Sequence, residues 1–176
     1  MGGRCRIQTG RLQLDPVSWG DLEDVVRLKS SATVTGRLAG GVCNRILSER
    51  DMMTDLMTWG REGVGMFTVR HQGRFIGLAG VQPSTTSPDC HELHFAIFPH
   101  EHETGLSCQA TSMALAFAHE GGVRRAISYV RENDIVGRRV LGGAGMSVCD
   151  SQPDSCGPDI LLYQSVRPAG ENPRLH

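Results

Sequence analysis

Two short apolar runs joined by nothing but Gln72-Gly73 constrain this fold more than any other feature of the chain. Residues 66–71 and 74–81 are rich in β-branched, aromatic and other apolar residues, and a two-residue connection ending in glycine closes such runs into an antiparallel hairpin. A third run, 90–98, follows the polar loop 84–89 and is stopped by Pro99. Three successive strands with no helix between them predict a central antiparallel sheet. The remaining segments must then cover its faces.

Upstream, Arg11-Leu12-Gln13-Leu14-Asp15 alternates as a half-buried strand does, and Pro16 closes it. Ser18 and Asp21 mark a helix start, with Leu22, Val25 and Val26 as its apolar face. After a glycine-rich loop at 36–42, Ser48 and Asp51 repeat that signal for a second helix lined by Met52, Leu56 and Trp59. Downstream, Leu106, Ala110, Met113, Ala114 and Phe117 recur at helical spacing and predict a long third helix. A strand at 125–130, a short helix at 134–141 and strands at 144–149 and 160–166 complete the order. The expected fold is α/β (α+β), a mixed, mostly antiparallel sheet of about seven strands flanked by about four helices. Residues 1–8 read as a flexible lead, 9–167 as one domain and 168–176 as a disordered tail.

A formal charge of −1 over 176 residues leaves no basic excess for nucleic acid or an anionic membrane. Lys29 is the only lysine. The six cysteines show no CxxC or other close ligand spacing, which argues for reduced thiols rather than a disulfide framework or a zinc finger. The first ten residues lack the apolar stretch of a leader, and no run approaches the length of a membrane span, so a cytoplasmic protein is expected.

Three local motifs then line up in order. They are Thr9-Gly10-Arg11-Leu12-Gln13-Leu14, then Glu92-Leu93-His94-Phe95 followed by Pro99, then Glu132-Asn133 with Gly137-Arg138-Arg139-Val140-Leu141-Gly142-Gly143-Ala144-Gly145-Met146. With the order of elements, they resemble the GNAT superfamily of acyl-CoA-dependent N-acyltransferases, in the branch typified by acetyltransferases of ribosomal-protein N-termini. The resemblance implies acetyl-CoA or another acyl-CoA as donor and direct attack by a primary amine of a small molecule or a peptide N-terminus. It also allows for a homodimer through the late strands.

Glu92 is the candidate general base, since a carboxylate in a mid-sheet strand needs solvent or a partner. His94 shares its face, and is read equally as a base and as a cross-strand packing residue. The resemblance assigns the backbone of Phe95, Ala96, Ile97 and Phe98 to the pantetheine arm. It assigns the loop His102-Glu103-Thr104-Gly105-Leu106-Ser107 to the pyrophosphate, where a helix N-terminus offers partial positive charge. Asn133, Asp134, Gly137 and Arg138 fall where such enzymes touch the cofactor again.

Two features pull the other way. Glu101 and Glu103 set negative charge where a diphosphate would bind. The tyrosine that acts as general acid in many relatives falls at Gly142 and Gly143, leaving Tyr129 and Tyr163 as the other phenols. These features keep two alternatives in view: an acyl-thioester enzyme of altered chemistry (another donor, hydrolysis or decarboxylation), and a non-catalytic binding module. The stretches His91-Glu92-x-His94 and His100-Glu101-His102-Glu103 carry ligand types suited to zinc or iron. Their spacing is not that of HExxH on a helix, and no metal site is expected.

Overall fold

The Gln72-Gly73 connection closes as its sequence demands: Gln72 and Gly73 adopt φ of 51° and 76°, and His71 pairs with Arg74 across the turn. It joins two of eight strands in a computed structural model that describes residues 5–35, 41–101, 105–149 and 157–167. The strands are β1 (Ile7–Gln8), β2 (Leu12–Pro16), β3 (Met66–His71), β4 (Arg74–Pro83), β5 (His91–Ile97), β6 (Arg125–Arg131), β7 (Ser147–Val148) and β8 (Ile160–Val166). They form one sheet in the order β1-β2-β3-β4-β5-β6-β8-β7. Every pairing is antiparallel except β5 with β6.

The helices are α1 (Leu22–Lys29), α2 (Ala32–Thr35), α3 (Arg45–Glu62), α4 (Leu106–Glu120) and α5 (Ile135–Gly143). This is the mixed, mostly antiparallel α/β architecture read from the sequence, with one more strand and one more helix. The added strand lies in the N-terminal lead, where Ile7 and Gln8 pair with Leu14 and Gln13. The added helix is the four-residue α2, too short to leave a periodic signal. β7 is reduced from 144–149 to two residues because the backbone N–H groups of Ala144 and Met146 still bond back to α5 carbonyls.

Alternation along β5 sends Leu93, Phe95 and Ile97 into the clusters packed against α4. Ala96 and Phe98 pack on the opposite side, with Val25 and Leu28 of α1 and Met52 of α3. Glu92 and His94 belong to that second side by the same alternation. The helix α3 starts three residues before Ser48, because the Asn44 side chain accepts from the Leu47 N–H at 3.0 Å and caps it. Its buried stripe is Ser48, Met52, Asp55 and Thr58, so the helix turns a carboxylate toward the sheet. Among the described residues no helix is long and apolar enough to cross a membrane.

Candidate active site

The parallel contact between β5 and β6 lasts for two residue pairs, His91 with Ala126 and Glu92 with Ile127. Beyond Glu92 the two strands part. At the fork the Ser128 hydroxyl donates to the Leu93 carbonyl at 2.9 Å, so the last ladder position is satisfied by a side chain instead of a strand. The cleft that opens is walled by His94, Phe95, Ala96 and Ile97 on one side and by Tyr129, Asp134 and Gly137 on the other. On the α3 side it adjoins a cavity of about 400 Å³ to which Asp55, Gln82, Glu92 and His94 contribute.

Glu92 and His94 stand together, as period-two alternation requires. The Glu92 side chain is 17% exposed, and its Oε2 lies 3.7 Å from His94 Nε2, a contact longer than a hydrogen bond. Glu92 Oε1 accepts from the Ser84 hydroxyl at 2.8 Å. Ser84 Oγ is 3.0 Å from Thr86 Oγ1, which is 3.4 Å from the Tyr129 hydroxyl. A run of hydroxyls thus leads from the carboxylate to the exposed loop before β5. The His94 side chain is 49% exposed and lines the concave cavity. Burial among pocket atoms holds its pKa below the ordinary imidazole value, against the opposing pull of Glu92, with Lys29 adding to the depression. That direction favours the neutral ring, which is able to accept a proton. Of the two phenols, Tyr129 lines the cleft, whereas Tyr163 is buried in the core.

Gly105 is the exposed N-cap of α4, with φ of 75°. Among the described residues no side chain caps the helix at Gly105, and no acidic residue occupies its first turn. Leu106 and Ser107 are buried behind it. The charge expected of Glu101 is not set against this site: Glu101 is 3% exposed, and its Oε1 is 2.6 Å from Arg74 and 3.1 Å from His100. Rooted under the turn and paired, it is largely neutralised by Arg74. His102, Glu103 and Thr104 lie outside the described residues.

The late motif divides. Asp134 caps α5, its carboxylate accepting from the Gly137 N–H at 3.0 Å, and both residues line the cleft. A Cβ at position 137 would fall 2.6 Å from Asp134 Oδ2 and 2.9 Å from Val130 Cγ2, so glycine leaves room for the Asp134 cap. Asn133 faces a separate groove shared with Arg131 and Asp159. Arg138 donates to the Glu132 carbonyl at 3.0 Å and is not part of the cleft wall. His91 turns to Glu62 at 2.6 Å while His100 stacks on Phe98, so the histidines of the two His/Glu stretches diverge. Among the described residues no group of three metal-ligating side chains is assembled.

Asp55 was not singled out in the sequence. It is 4% exposed, lines the cavity beside Glu92 and accepts a hydrogen bond from the Gln82 amide. Its signal was present: a carboxylate spaced i+7 from Ser48 and i+3 from Met52 falls on the sheet-facing stripe.

Residues 11–147 match the acetyltransferase (GNAT) domain family. No curated protein matches the chain. Among solved structures, an acetyltransferase from Agrobacterium tumefaciens is 20% identical, with a TM-score of 0.80 over 95% of this chain and 97% of that chain. RimL, a ribosomal alpha-N-protein acetyltransferase in complex with coenzyme A, is 12% identical, with a TM-score of 0.73 over 92% and 97%. The microcin self immunity acetyltransferase MccE, in complex with acetyl-CoA and AMP, is 11% identical, with a TM-score of 0.69 over 90% and 94%. At such identities the likeness is one of fold.

Proposed function

Because the chain belongs to the GNAT acetyltransferase family, and so is an acyl-CoA-dependent N-acetyltransferase, we propose that it acetylates a primary amine of a small molecule or a peptide N-terminus with Glu92 as general base. The observation that carries this reading is the position of Glu92. It is the last paired residue before the β5–β6 fork, and its carboxylate opens into the cavity on the α3 side.

Acetyl-CoA, when bound, supplies the activated acyl carbon. The pantetheine arm would run along Phe95, Ala96 and Ile97 opposite Asp134 and Gly137, with the diphosphate toward Gly105 and the positive end of α4, while Phe98, whose N–H is taken by the Ile76 carbonyl, is not part of that wall. The acceptor arrives as an ammonium ion, and Glu92 takes its proton so that the nitrogen lone pair is free to attack. His94, neutral and adjacent, borders the same space and is the second group able to hold that proton. The Ser84 and Thr86 hydroxyls lead the proton away from Glu92 toward the loop surface. No covalent enzyme intermediate is needed.

Calorimetric titration of the full chain with acetyl-CoA, followed by assay of CoA release with a panel of amines, tests this reading. Absence of acetyl-CoA binding by the folded protein would overturn it in favour of a non-catalytic module. A smaller effect isolates the hydroxyl next to the base. Ser84→Ala removes one hydrogen bond to a charged group, worth about 1.5–3 kcal/mol when intact, and partial replacement by water leaves an expected fall in kcat of about 3–10-fold. The KM for acetyl-CoA should be unchanged. An unaltered kcat would show that Ser84 only shapes the loop.

A further inference from the structure

We propose that Asp55 is a specificity residue that selects acceptors carrying a second positive charge, a short aliphatic diamine being the simplest, and this rests on the reading of Glu92 as the site of the reacting amine. Asp55 projects from the sheet-facing stripe of α3 into the same cavity as Glu92. Gln82 ties the two together: it is the cross-strand partner of Glu92, and its amide donates to Asp55 Oδ1. The two carboxylates are therefore separated by one cross-strand step and the length of a glutamine side chain, a span that a short alkyl chain bridges.

The second oxygen of Asp55 has no hydrogen-bond partner among the described residues, and since it is not one of the sealed, unpartnered polar atoms it is reached from the cavity that Asp55 lines. The one lysine in the chain does not fill that place, because the Lys29 ammonium is held by Asp51 at 2.6 Å. Lys29 and Asp51 line the same cavity, so one lysine stands against the carboxylates of Asp51, Asp55 and Glu92 and the lining keeps a negative excess. Met66 and Leu78 add apolar wall to the same cavity. An acceptor with two cationic ends and a hydrocarbon middle matches all three features. A purely structural Asp55 would need only the acceptor oxygen that meets Gln82, and asparagine supplies that equally well.

The test compares linear α,ω-diamines of about three to six carbons with n-alkylamines of the same length, scoring ratios of kcat/KM with acetyl-CoA, in the wild type and in Asp55→Asn. The wild type should favour the best diamine by about 10-fold or more, the amount one desolvated charge pair commonly contributes. The variant should bring the ratio to within about 2-fold of unity. A wild-type ratio near one, or a ratio that Asp55→Asn leaves unaltered, overturns the proposal. Calorimetry of the same amines with the CoA-bound protein separates the two readings. Diamine binding that depends on Asp55 without turnover would fault the assignment of Glu92 and uphold that of Asp55.

Discussion

Glu92→Gln is expected to lower kcat by about 100-fold or more, the usual contribution of a positioned general base. Glutamine is isosteric and still accepts from Ser84 Oγ, so the loop before β5 and the β5–β6 fork should keep their geometry. What is lost is the capacity to take a proton and the negative charge that draws an ammonium to the fork. Both kcat and kcat/KM for the amine should fall, while acetyl-CoA binding, which the cleft beyond the fork would supply, should hold within about 2-fold. Steady-state kinetics with both substrates varied, together with acetyl-CoA calorimetry, reads these quantities separately. A fall of less than about 3-fold in kcat would transfer the role to His94. In that case the acid limb of the rate profile should lie below the ordinary imidazole pKa of 6.5, because burial depresses the value of this ring.

The fold was legible because its strongest signals are local. The Gln72-Gly73 turn sets the β3–β4 register by backbone conformation, and the spacing of Leu106, Ala110, Ala114 and Phe117 writes α4 into the sequence without reference to anything distant. The pairing of Glu92 with His94 was legible for the same reason, since two residues on alternate positions of one strand must share a face. What was hidden depends on contacts across long stretches of chain. Glu101 read as a charge at the diphosphate site because its partner, Arg74 at the start of β4, is 27 residues away. Asp55 was not singled out at all. Its meaning comes from Gln82 and Glu92, which reach it only once β4 and β5 are laid beneath the helix. Local periodicity reveals that a carboxylate is buried but cannot say what the cavity beside it holds.

The burial of Asp55 should make it a cost to stability at the pH where the enzyme works, and its replacement a gain. Burial pushes its pKa up from 3.8 to about 6, with Lys29 and the Gln82 hydrogen bond pulling the other way and Asp51 adding to the rise. Lys29, Asp51, Glu92, His94 and Tyr129 are the other titratable groups lining this cavity. A carboxyl whose pKa is raised on folding stabilises the native state fully below its unfolded value, and that contribution is lost as pH rises through the folded value. For Asp55 the window runs from 3.8 to about 6, and above it the wild type carries the full deficit. A shift of that size corresponds to a few kcal/mol at most, at about 1.4 kcal/mol per unit. Asp55→Asn keeps the acceptor for Gln82 and removes the charge. It should raise Tm by about 5–10 °C at pH 8, taking about 2–4 °C per kcal/mol for a chain of this size. The gain should vanish near pH 4, where the wild-type carboxyl is itself neutral. Equal melting temperatures at pH 8 would mean that the charge is already compensated in the empty cavity, and the case for a cationic ligand there would weaken with it. If the gain is seen, a diamine that supplies the missing positive charge should raise the Tm of the wild type above pH 6, and should do so far less in Asp55→Asn.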